Sequence, residues 1–308
     1  MRPGTVAALS CLLVVVAFMA PDGVAPRAGE VAPVQEGGLT AEELAAEPPE
    51  RPAQLPRESM PLPVDAAHAT ATRIEVLAES GYADAQGRYV VDLLEQDLAY
   101  LTLRLETADG RPVSGATPAF SVEGTSQVRE PAEVSSRSTT DEYGVIEFAV
   151  LGGRMGLDRV KVTLGTASTE ILVNVISLRA AGFPTPAVVE GGVRWEELMQ
   201  ARVRYDGTEL VAEFPEAIAA RAGHTVKLSG FMMPLEPDLT QRRFILASNP
   251  PSCFFHVPGG PAGAVEVFAP EGIAITWDPV VLEGRFEPQQ ASTVGVVYRL
   301  HEARLIAP

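Results

Sequence analysis

Tyr100-Leu101-Thr102-Leu103-Arg104-Leu105-Glu106 decides the fold class. Leu101, Leu103 and Leu105 fall on one face of an extended chain, with polar residues between them. Three turn signals bracket strands of the same kind. Asp109-Gly110-Arg111-Pro112 follows directly. Thr140-Asp141-Glu142-Tyr143-Gly144 precedes Val145-Ile146-Glu147-Phe148-Ala149-Val150. Gly165-Thr166 joins Arg159-Val160-Lys161-Val162-Thr163-Leu164 to Glu170-Ile171-Leu172-Val173-Asn174-Val175. Short strands at this spacing predict a β-sandwich over residues 71–178.

Toward the C-terminus, Ala180-Ala181-Gly182-Phe183-Pro184-Thr185-Pro186 breaks the pattern and marks a linker over 179–187. Residues 188–308 resume it. Arg194-Trp195-Glu196-Glu197-Leu198-Met199 reads as a short helix or turn. Five strands follow, at Thr225–Leu235, Arg243–Ala247, Ala264–Phe268, Val280–Phe286 and Val296–Leu305. Glycines inside the first and fourth (Gly230, Gly284) permit the bends that closing a small barrel needs. The expected fold is therefore all-β: an immunoglobulin-like sandwich followed by a small five-stranded barrel of oligonucleotide-binding-like (OB-like) architecture. Each block is expected to fold alone, with a protease-sensitive break at Gly182–Pro186. Phe231, Phe254, Phe255 and Trp277 are expected to fill the barrel core. Met232 and Met233, adjacent on one strand, should face opposite ways.

Toward the N-terminus, Arg2 followed by the apolar run Val6–Ala20 reads as a signal peptide over 1–20. That run is too short for an ordinary span, and no later stretch is long and apolar enough to cross a bilayer as a helix. Cys11 lies inside the run. A lipidated cysteine or an uncleaved anchor are the lesser alternatives. Residues 21–70 are rich in Pro, Ala and Glu and poor in large apolar groups, as expected of a disordered tether.

The chain carries 40 acidic and 24 basic residues, a net charge of -16, which disfavours nucleic acid and anionic lipid as partners. No Gly-x-Ser-x-Gly, HExxH, phosphate-loop or paired-carboxylate pattern is present, and the chain is expected to be non-enzymatic. Of two cysteines, only Cys253 lies beyond the signal region, in Ser252-Cys253-Phe254-Phe255-His256-Val257-Pro258. It has three possible roles. It is a buried small apolar group, a zinc or copper ligand together with His256, or half of a Cys–His nucleophile. His224 and His301 are the candidate further ligands, with Glu302 as a carboxylate.

Two family resemblances accompany these patterns. Asp109–Gly115, Phe120-Ser121-Val122 and Thr139–Gly144 resemble the bacterial immunoglobulin-like domains of invasin-type proteins, which implies a spacer, display or adhesion role. In residues 193–306, Trp195–Leu198, Val226–Leu235, Phe244–Leu246, the cysteine loop and Val297–Leu300 resemble the bacterial envelope family called domain of unknown function 3299. That resemblance implies an exported or lipidated protein, in some cases beside FtsX-type ABC transporter components. The loop departs from that family's pattern. His256 stands three positions after Cys253 rather than two, and Gly259-Gly260 and Ala262-Gly263-Ala264 stand where prolines are expected. The function expected is a cell-envelope accessory or binding protein. The alternatives are a periplasmic zinc or copper protein and a structural or adhesive envelope module.

Overall fold

The computed structural model describes residues 61–67, 71, 73–78, 81–251 and 257–307. The expected signal peptide, nearly all of the expected tether, and the Cys253–His256 segment lie outside these residues.

The strands of the first half are β1 (Val64–Asp65), β2 (Arg73–Ala78), β3 (Gly81–Ala83), β4 (Tyr89–Leu94), β5 (Leu98–Glu106), β6 (Val113–Ser114), β7 (Ala119–Glu123), β8 (Gln127–Arg129), β9 (Val145–Leu151), β10 (Gly156–Leu164) and β11 (Ala167–Ile176). A short helix, α1 (Pro131–Val134), precedes β9. The second half holds α2 (Trp195–Leu198), β12 (Arg202–Asp206), β13 (Glu209–Glu213), α3 (Glu216–Ala219), β14 (Thr225–Pro234), β15 (Thr240–Ala247), β16 (Ala264–Ala274), β17 (Val280–Pro288), β18 (Ala291–Ser292) and β19 (Tyr298–Ala307).

The first half is a sandwich of two sheets, β2-β5-β9-β8 and β3-β4-β11-β10-β7. The alternation in β5 explains the packing. Leu101, Leu103 and Leu105 are all buried and meet Phe148, Val160, Ile171 and Val173 from the other strands in one core. The second half closes as a barrel in the order β14-β15-β16-β19-β17. In barrel numbering this is 1-2-3-5-4, with the third and fifth strands parallel. It is a five-stranded Greek-key barrel of OB-like type. The strand β14 changes partner midway: Thr225–Gly230 pair with β17 and Phe231–Pro234 with β15. At the switch, a Cβ on Gly230 would lie 2.5 Å from the Ala247 carbonyl oxygen, so only glycine fits the bend.

Leu198 of α2 and Val203, Leu210 and Ala212 of the β12-β13-β18 sheet join the barrel's buried cluster. Trp195 Nε1 donates to the Ser229 carbonyl (2.7 Å), and the Tyr298 hydroxyl donates to the Leu198 carbonyl (2.8 Å). Both rings are buried, so these bonds give their polar ends partners inside the core. Burial also pushes the Tyr298 phenol far above its ordinary range.

The expected tether ends earlier than residue 70. Val64 and Asp65 pair in parallel with Val113 and Ser114, and the Arg111 guanidinium donates to the Leu62 carbonyl (3.2 Å). Proline-rich composition does not prevent this, because an edge strand needs only alternate backbone bonds. Along β5, Glu106 bridges Pro112 beside this entry point, while Leu98 at the other end packs against the barrel-side core. The chain thus enters the sandwich at the pole opposite the barrel, roughly 30 Å away along a nine-residue strand.

Candidate functional site

The site is the root of the cysteine loop, where it leaves the barrel and meets the sandwich. β15 ends at Ala247 and β16 begins at its partner Ala264. The intervening loop is drawn shut at its base, where the Ser248 N–H donates to the Gly263 carbonyl (3.2 Å). Its return limb turns at Gly259 and Gly260, both with φ near +70°. The Gly260 N–H donates to the Val257 carbonyl (2.9 Å) and the Gly263 N–H to the Gly260 carbonyl (3.0 Å).

The double glycine has a second reason. A Cβ on Gly260 would lie 2.2 Å from the Leu98 Cδ1 atom, and one on Gly259 would lie 2.8 Å from the Met199 methyl. The loop is pressed against the sandwich at its β4–β5 turn. Two residues of that turn hold it, and a third ties the turn to α2. Asp97 Oδ1 accepts the N–H of Gly259 (2.9 Å) as well as that of Leu98 (2.9 Å). The Glu95 carbonyl accepts from Asn249 Nδ2 (3.0 Å). Gln96, itself in the left-handed region (φ 62°), donates from Nε2 to Glu196 (2.6 Å). Burial pushes the Asp97 carboxyl above its usual range, against the two N–H bonds that favour its charged form.

Beside this clamp lies a cavity of about 40 Å³ between sandwich and barrel, walled by Leu98, Tyr100, Arg129, Met199, Tyr205 and Pro261. Arg129 spans it. One nitrogen of its guanidinium donates to the Met199 carbonyl (3.0 Å) and another sits 3.7 Å from Glu133. Burial, with the Tyr205 ring and the Asp97 carboxylate nearby, pushes the Tyr100 phenol up to about 12. It therefore stays neutral throughout the physiological range. Such a volume accommodates a water molecule rather than an organic substrate. Leu151, at the end of β9, belongs to the same buried cluster as the barrel interior. The two halves therefore meet through an apolar junction at the ends of β5 and β9, while the sandwich keeps its own buried cluster.

Cys253 and His256 lie outside the described residues. The other expected ligands do not gather at the loop root. His301 stacks on Phe268 (centroids 5.1 Å apart, 4° between planes) and its Nε2 lies 2.5 Å from Glu287. Phe268 is four positions along β16 from Ala264, roughly 13 Å. His224 precedes β14, seven positions before Phe231, the partner of Ala247, which is roughly 20 Å. It is exposed, and its Nδ1 contacts the Ala222 carbonyl (3.1 Å). Glu302 is exposed, with φ 53°. Among the described residues no three His, Cys, Asp or Glu side chains are grouped to hold a metal ion.

The methionine pair divides as its strand position requires. Met232 joins the barrel interior, while Met233 packs outside it with Ile245, Ala247, Ala264, Val296 and Val257. Phe231 is buried, but as the partner of Ala247 it shares the Met233 face outside the barrel rather than filling its interior, and Trp277 is 73% exposed on the turn between β16 and β17. Short barrel connections lie at the rim, where even an aromatic ring reaches solvent. Phe254 and Phe255 lie outside the described residues.

Sequence reasoning missed Asp97, Asn249 and the buried ion triad of the barrel wall. There, Glu266 is 1% exposed, receiving Arg243 (2.8 and 2.6 Å) on one oxygen and Arg299 (2.9 Å) on the other. Gly259-Gly260 was the available signal for the clamp. A glycine pair where prolines are expected marks a turn with a close neighbour.

No family model matches the chain. No curated protein matches it either, so the envelope family named above remains a resemblance. Among solved structures, domains 4 and 5 of the S-layer protein SbsC are 18% identical over 33% of this chain and 54% of that one, with a TM-score of 0.24. The chain thus spans about half the length of that fragment. FdeC, an Escherichia coli adhesin, is 14% identical over 54% of this chain and 53% of that one, with a TM-score of 0.27. The C-terminal 282-residue fragment of intimin, solved in complex with the intimin-binding domain of its translocated receptor, is 13% identical. It covers 78% of this chain and 64% of that one, with a TM-score of 0.24. At scores of this size these likenesses carry no argument about the chain's function.

Proposed function

We propose that the protein is a non-enzymatic binding module of the bacterial cell envelope, in which the sandwich is a stalk that carries the barrel. One observation supports this most. The N-terminal chain joins the sandwich at one pole, through Val64–Asp65 on Val113–Ser114, and the barrel is clamped to the other through Asp97 and Gly259. A chain exported and held by its N-terminal segment would then present the barrel outward on a stiff mount. Service to an FtsX-type ABC transporter is the finer form of this proposal. It rests on the resemblance of residues 193–306 alone.

The test is fractionation of cells making the full chain, with mass spectrometry of its N-terminus. The expected protein lies in the envelope or outside the cell and begins within the Pro/Ala-rich stretch after Ala20. A soluble cytoplasmic protein that keeps Met1 would refute the proposal.

A second proposal keeps Cys253 and His256 as zinc or copper ligands. What favours it is Asn249 at the root of that loop, 1% exposed, whose side-chain carbonyl oxygen has no hydrogen-bond partner among the described residues. A ligand selective for the folded state raises its melting temperature by mass action. Zinc or copper should therefore raise the melting temperature, and Cys253→Ser and His256→Ala should each remove most of the rise. A melting curve unchanged by either metal refutes it.

A further inference from the structure

The β15–β16 hairpin has the cysteine loop at one end. At the other, two turns stand side by side: residues 235–239 before β15 and 275–279 after β16. The Ile275 N–H donates to the Leu239 carbonyl (2.9 Å) and ties them together. The first turn is held from inside by Gln241, which is fully buried. Its Oε1 accepts the N–H groups of Leu235 (3.2 Å) and Glu236 (3.1 Å). Its Nε2 donates to the carbonyls of Glu236 (2.9 Å) and Asp238 (2.5 Å). In the second turn the Asp278 N–H donates to Thr276 Oγ1 (3.1 Å).

These fixed turns carry three large apolar side chains into solvent: Leu239 at 80%, Trp277 at 73% and Leu235 at 45% exposure. Scattered exposed leucines need no explanation, but a cluster of them with a tryptophan on a preorganised backbone does. Rigid aromatic and aliphatic anchors lose little entropy on binding and are the residues that dominate interface energetics. The charge around them is one-sided. Glu236, Asp238 and Asp278 share the two turns, against Arg242, whose N–H is bonded to the Glu236 carboxylate (3.2 Å).

We propose that this tip is a docking site for another protein whose surface offers an apolar cleft rimmed by Lys or Arg. The acidic rim decides between occupants. It repels anionic lipid, and it repels a second copy of a chain whose net charge is -16. A basic rim on the partner completes it and accelerates encounter. The proposal rests on the reading of the protein as an envelope binding module and names where that module binds.

The test uses the full chain in its own cells, with a photo-reactive phenylalanine at Leu239, or at Lys161 on the exposed face of the sandwich as control. A protein cross-linked from Leu239 only is purified and titrated with the unmodified chain, at low and high salt, and with a Leu239→Ser/Trp277→Ala variant. The expected result is an affinity that falls at least about tenfold in the variant and also falls with salt. Both substituted side chains are solvent-exposed, so the variant should melt like the parent, which circular dichroism checks. Absence of a Leu239-specific cross-link overturns the proposal, as does an affinity that the substitutions leave unchanged. Two further results overturn it: burial of the tip in phosphatidylcholine or phosphatidylglycerol vesicles without any protein, or a dimer that the substitutions dissolve. If the chain is exported but its tip cross-links nothing, this proposal falls while the envelope reading stands. A cytoplasmic chain removes the envelope reading instead.

Discussion

Asp97 shows how one side chain joins the two halves. Its carboxylate accepts N–H groups from Leu98 in the sandwich and Gly259 in the barrel loop. Asp97→Ala leaves two N–H groups without their acceptor and should cost about 1–3 kcal/mol in denaturant unfolding. Asp97→Asn keeps an acceptor and removes the buried charge, so at pH 7 it should cost less than alanine. The pH dependence has a definite sign. The folded carboxyl titrates above the unfolded value of 3.8, so the native state holds the proton more tightly. Its contribution to stability is complete below pH 3.8 and is lost as pH rises through the folded value. The stability of the parent relative to Asp97→Asn should therefore rise as pH falls through that window. In the barrel wall, Glu266 is buried and engaged by Arg243 and Arg299. Glu266→Gln should cost about 3 kcal/mol, the low end for a broken buried pair, because both arginines keep some exposure to water. Chemical denaturation of the variant measures it.

Among the elements, β14 is the one on which barrel closure turns. Gly230→Ala would place a methyl against the Ala247 carbonyl and the Trp195 ring, where neither backbone nor indole can yield cheaply. The expected loss is about 1–3 kcal/mol or more, read by thermal melting. All five barrel strands were legible beforehand, because apolar periodicity and internal glycines are local signals. The division of Met232 from Met233 followed from the same period. Three features were not legible. Trp277 carries no local mark of whether its turn faces core or water. Val64–Asp65 is too short to stand out from proline-rich surroundings. The Asp97–Gly259 bond joins residues 162 positions apart, and nothing near either one announces the other. The candidate site was legible only in part. The double glycine pointed to a close approach in the loop, but its partner lay in the other half of the chain.

Over its described residues, the molecule is a sandwich and a barrel, each with its own buried cluster, that meet at one apolar junction. Leu151 and Leu98 of the sandwich pack with Leu198 and Met199 beneath the barrel. The expectation that residues 188–308 fold alone is weighed against this junction. The fragment would expose Met199 and Ala262 and lose the Asp97, Glu95 and Arg129 bonds. Exposed segments at Gly182–Pro186 would still admit protease, because that stretch lies on the surface. A firm junction between sandwich and barrel is what lets the two halves move as one body. Differential scanning calorimetry of the full chain tests it most directly. The apolar junction and the Asp97, Glu95 and Arg129 bonds predict one cooperative transition, with sandwich and barrel melting together and calorimetric and van't Hoff enthalpies in agreement. Two separated transitions, with the barrel melting unaffected by Asp97→Ala, would contradict it.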